Sequence, residues 1–112
     1  MDFELEKNYQ EVLNFLEKEL GEKPDMTAII FLVGLQELGM GYRKFSKQEK
    51  VEIMHVAICY LLSPYGYYEF IGRDADNWPH FESKKKLPSL DGRQQQTLLK
   101  QAIVDYFIES KP

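Results

Sequence analysis

The chain has 112 residues, the length of one ordinary domain. Its 44% of hydrophobic and 29% of charged residues are typical of a globular protein and exclude the disordered and fibrous classes. The formal net charge of -4 and the sequence pI of about 5.2 argue against nucleic-acid binding, which usually needs a basic surface.

The single cysteine, Cys59, excludes an intramolecular disulfide. The acidic, polar start of the sequence resembles neither a signal peptide nor a transit peptide, so we expect a soluble cytoplasmic protein. Residues 26–35 form the most apolar run, which has about half of the roughly 20 residues that a membrane span needs, so we expect no membrane partner. Residues 1–25 contain eight acids and three bases, which places the acidic excess on the first helix.

Hydrophobic periodicity predicts the first helix over about 3–20. Apolar residues recur there at steps of three and four, as expected for one buried face: Leu5, Tyr9, Val12, Leu13, Leu16 and Leu20. Gly21 can take the left-handed conformation that ends a helix, and Pro24 follows shortly after it. We therefore predict a surface helix with one inward stripe.

Two helices of a more apolar kind follow, over about 26–38 and 47–62. Asp25 offers a side-chain oxygen to the start of the first, and nearly all of its sides are apolar, so we expect it to be surrounded. Ser46 and Glu49 have the spacing of a capping box for the second. Only Glu52 and His55 interrupt its run over 51–62, which we therefore expect to be largely buried.

A last helix is predicted over about 92–109, with Asp91 as its cap. Its expected inner face consists of Leu98, Leu99, Ala102, Ile103, Tyr106 and Phe107. The prediction is a mainly α fold, a small four-helix bundle that forms a single domain over 1–112. An ordered, aromatic-rich insert over 63–90 separates the third and fourth helices.

The insert has the pattern of a short β-hairpin. The runs YYEFIG and WPHFE are rich in strand-forming residues, and the turn residues of 74–77 lie between them. Asn77 can adopt the left-handed conformation that the loop needs, and Pro79 restricts its strand to an edge of the sheet. An isolated hairpin is marginal in water, so we expect this one to pack on the helices.

The rings of the insert allow two interpretations. They pack the hairpin onto the helices, or part of their surface stays open for a ligand or a partner, and both can hold for different rings. The candidate ligand- or partner-binding residues are Tyr67, Tyr68, Arg73, Asp74, Asp76, Trp78 and His80.

Known site chemistries match the sequence poorly. A calcium loop starting at Asp74 would need ligands where Trp78 and Lys85 stand. A di-iron centre would need a second Glu-x-x-His motif beside the one at 52–55. The only candidates for a zinc site are weak. His55 and Cys59 lie one helical turn apart, and His80 would come from the insert.

No residue has the sequence context of a catalytic nucleophile, and we expect no cofactor. We therefore favour a non-enzymatic interaction protein that binds another protein, or itself as a homodimer, through the aromatic insert. The alternative is a small-molecule- or metal-binding protein with a site at the insert. This alternative includes an enzyme. If the insert is wholly packed, the acidic face of the first helix becomes the candidate partner surface.

Overall fold

A computed structural model describes residues 3–41, 43–86 and 92–110. The four helices are α1 (Phe3–Leu20), α2 (Met26–Leu38), α3 (Lys47–Leu62) and α4 (Gly92–Ser110). A 3₁₀ turn (Ser63–Tyr65) follows α3, and the strands β1 (Tyr68–Arg73) and β2 (Pro79–Ser83) form an antiparallel hairpin before α4. The predicted mainly α fold with a hairpin insert is confirmed. The predicted cap Asp91 lies outside the described residues.

Contacts divide the chain into two compact units. One unit comprises Met1–Ile29 with Leu90–Pro112, and the other comprises Ile30–Ser89. The candidate site lies wholly in the second unit. The single-domain organisation over 1–112 stays a prediction. No helix within the described ranges combines the length and hydropathy that crossing a membrane requires.

In the first unit, α1 buries most of its predicted stripe. Leu5, Tyr9, Val12 and Leu16 are buried, whereas Leu20 at the helix end is 43% exposed. The helix ends as predicted, because Gly21 has a φ of 88° and its amide donates to the carbonyl of Glu17 at 2.8 Å.

Lys100 joins α4 to α1. Its Nζ donates to the Glu6 carboxylate at 2.8 Å and lies 5.2 Å from the centre of the Tyr9 ring. Beyond this contact, the predicted inner residues Ala102 and Ile103 of α4 are buried, and so is Val104, which the pattern does not predict. The other four predicted inner residues of this helix are half-buried.

α2 and α3 begin at the capping residues that the sequence predicts. Asp25 Oδ1 accepts from the amide of Ala28 at 2.8 Å. Ser46 and Glu49 form the full capping box, because each side chain accepts a hydrogen bond from the backbone amide of the other residue. These bonds satisfy amides that the first turn of a helix leaves without a partner.

In the second unit, α2 and α3 approach closely at Gly34. A Cβ atom on this residue would lie 2.6 Å from the carbonyl oxygen of Ile53, so only glycine fits. Leu35, Phe45 and Ile53 form a buried cluster beside this point, and the Phe45 ring meets Phe31 edge-on at 5.6 Å.

The burial of α2 and α3 is less complete than predicted. Thr27 and Ala28 are exposed at the start of α2. Val51 is an exception to the expected burial of α3, because its side chain is 57% exposed. Further along α3, six residues are buried: Ile53, Val56, Ala57, Cys59, Leu61 and Leu62.

Candidate functional site

The hairpin has a regular register except at one residue. Phe70 lies opposite Phe81 and Gly72 lies opposite His80, which leaves Ile71 as an extra residue on β1. Such a bulge bends a strand and increases its twist. Gly72 has a φ of 127°, a conformation that side chains disfavour, so a glycine suits the bend.

Asp74 organises the turn between the strands. Its Oδ1 accepts from the amides of Asp76 at 2.9 Å and Trp78 at 3.0 Å. The Asp74 backbone adds two bonds, from its amide to the Trp78 carbonyl and from the Asn77 amide to its own carbonyl. Asn77 has a φ of 66°, so its predicted left-handed conformation is confirmed.

The second carboxylate oxygen of Asp74 binds His80. Oδ2 lies 2.8 Å from Nε2 of the imidazole, which joins the turn to β2. This hydrogen bond, followed by the one from the Trp78 amide, lowers the pKa of Asp74 below its ordinary value. Two of the predicted site residues are therefore hydrogen-bonded to each other and stabilise the turn.

Three rings attach the hairpin to α3. Tyr60 in the last turn of α3 meets Phe81 edge-on at 4.9 Å and stacks on Phe70 at 6.4 Å, and the two phenylalanines are 5.6 Å apart. Tyr60 therefore packs the end of α3 against one ring from each strand of the hairpin.

Arg73 adds polar bonds to the same junction. Its guanidinium donates to the Tyr60 hydroxyl at 3.3 Å and to the Asn77 carbonyl at 3.2 Å, and lies 5.7 Å from the centre of the Phe70 ring. The arginine therefore connects helix, turn and strand. The sequence predicts Arg73 as a ligand-binding residue but does not predict the role of Tyr60, whose only signal is an aromatic residue in the helical turn before the insert.

A charged cluster spans the two strands. Glu69 and Glu82 lie directly opposite each other, an arrangement that repels. Lys84 Nζ lies 3.3 Å from the first carboxylate and 3.5 Å from the second, so it offsets the repulsion. The hydrogen bond and the charge of Glu69, with a smaller effect of Glu82, raise the pKa of Lys84. Sequence reasoning did not identify this cluster.

The aromatic surface of the hairpin is only partly covered. Phe70 is 44% exposed and the neighbouring Ile71 is 58% exposed. The remaining hairpin rings, including those of Tyr67, Tyr68 and Trp78, are half-buried, and Lys85 Nζ lies 4.5 Å from the centre of the Tyr67 ring. Some rings of the hairpin therefore pack and others stay partly exposed, so both interpretations of the aromatic residues hold for different rings.

Of the weak metal candidates, His55 and Cys59 lie in α3, whereas His80 lies on β2. In α3, His55 Nε2 is 3.7 Å from the sulfur of Cys59, and burial raises the pKa of this thiol to about 11. The thiol is thus protonated at neutral pH and is neither a good ligand nor a reactive nucleophile. Within the described ranges, no group of three or more His, Cys, Asp or Glu side chains is placed to hold a metal ion.

Comparison with known proteins gives no relative. No protein-family model, no curated protein and no solved structure matches this chain. The geometry of the hairpin is therefore the basis for proposing a function.

Proposed function

We propose that this protein is a non-enzymatic interaction protein, which binds another protein or a second copy of itself through the hairpin. The observation that supports the proposal best is the exposure of Phe70 and Ile71, two large apolar residues that are adjacent on β1. Protein interfaces combine such an apolar centre with a polar rim. We call these two residues and the charged Glu69, Arg73 and Lys84 of the same segment the hairpin surface.

The fixed position of the hairpin supports the same proposal. The ring contacts of Tyr60 and the bonds of Arg73 attach β1 to α3, and the bonds of Asp74 order the turn that follows it. A surface that is ordered before binding loses less conformational entropy when a partner arrives. An apolar pair on a fixed strand is therefore a better binding surface than the same residues on a free loop.

Charged residues of the hairpin segment would orient the partner. Arg73, Glu69 and Lys84 all belong to the hairpin or follow it directly, and their charged groups are exposed. Charged groups at the rim of an interface mainly influence the association rate and the choice of partner. The half-buried Tyr67, Tyr68 and Trp78 are the further contact residues in this proposal.

The alternative, a small-molecule or metal site at the insert, has less support. Arg73, Asp74 and His80, its proposed polar groups, already make hydrogen bonds within the hairpin or to α3. The other predicted residues are Tyr67, Tyr68, Asp76 and Trp78, of which only Asp76 is charged. Thermal-shift measurements with metals and nucleotides test this alternative, and a reproducible rise in the melting temperature with one compound would favour it over the interaction function.

We also propose a cytoplasmic location. Cys59 is buried within α3 and is present as a free thiol, which suits a reducing compartment. The interaction function requires no cofactor.

The test compares two lysine substitutions. Ile71→Lys places a charge in the middle of the hairpin surface, whereas Val51→Lys places one on α3 at a residue with almost the same exposure, 57% against 58%. Each tagged variant and the original protein are cross-linked in cells, and the linked proteins, including untagged copies of this chain, are identified by mass spectrometry. Circular dichroism confirms that both variants keep their helices.

We expect the original protein and Val51→Lys to cross-link to the same partner, and Ile71→Lys to lose it. Loss only in the hairpin variant supports the proposal. Equal recovery with both variants would mean that partners bind elsewhere, and the acidic face of α1 would then be the next surface to test. Recovery of no partner by the original protein would refute the interaction function.

A further inference from the structure

We draw no further inference here: the strongest candidate, the exposed apolar pair Phe70 and Ile71 on the bulged strand of the hairpin, belongs to the surface already described, and nothing in the structure shows what covers it.

Discussion

Replacing Gly34 by alanine tests the closest helix contact in the second unit. The new Cβ atom would lie 2.6 Å from the Ile53 carbonyl oxygen and 2.7 Å from its Cγ2 atom. Ordinary contacts begin near 3.4 Å, so α2 and α3 must separate locally by about 0.8 Å. The Ala57 side chain, at 3.3 Å on the same side, restricts any sideways movement.

Two opposing effects determine how much Gly34→Ala changes the free energy of unfolding. Overpacking a buried contact costs about 1–3 kcal/mol. Alanine returns up to about 1 kcal/mol, because it favours the helix more than glycine does. We expect Gly34→Ala to lower the free energy of unfolding by about 1–2 kcal/mol, which corresponds to a fall of roughly 5–10 °C in the melting temperature.

Thermal and urea unfolding, followed by circular dichroism, measure this effect. Gly92→Ala is the matched control, because, outside the adjoining backbone, no atom of the described residues lies within 4 Å of its added Cβ. The control should be as stable as the original protein or slightly more stable. If Gly34→Ala is as stable as the original protein, the two helices are not in close contact at this point.

Three further predictions concern the caps and the hairpin. Because the folded-state pKa of Asp74 is lowered from 3.8, the stabilisation that its carboxylate gives the turn is complete above about pH 4 and is lost as the pH falls through the lowered pKa. Trp78 fluorescence should follow this acid transition, and Asp74→Asn should abolish it; an unchanged transition in that variant would assign it to other groups. Ser46→Ala removes the side-chain cap of α3 and should lower the free energy of unfolding by about 1 kcal/mol in urea titrations, whereas no change would show that the cap contributes little. Tyr60→Ala should speed hydrogen exchange of the β1 amides, whereas Tyr60→Phe, which loses only the bond to Arg73, should do so much less; similar exchange in both would mean that the rings do not hold the hairpin.

The sequence predicts those features that depend on neighbouring residues. Asp25 and the pair Ser46 and Glu49 act within one helical turn, so their type and spacing suffice to place the starts of α2 and α3. The same holds for the hairpin turn, where Asn77 can adopt a conformation that few other residues tolerate.

Features that depend on distant residues escape a single sequence. The apolar run of α3 does not show that Val51 faces solvent, because burial depends on which other elements pack there. Gly34 gives no signal of its close contact with Ile53 until both helices are placed. The sequence also shows that Arg73, Asp74 and His80 are close together along the chain. It does not show the hydrogen bonds by which these predicted ligand-binding residues stabilise the hairpin.

The position of Cys59 has a practical use. The only thiol of the chain lies within α3 with no exposed surface, so it should react with a labelling reagent only after this part of the protein opens. The labelling rate of Cys59 therefore reports how often the second unit opens. Because this thiol is shielded in the folded state, a fluorophore or spin label can be attached selectively at a cysteine introduced on the surface.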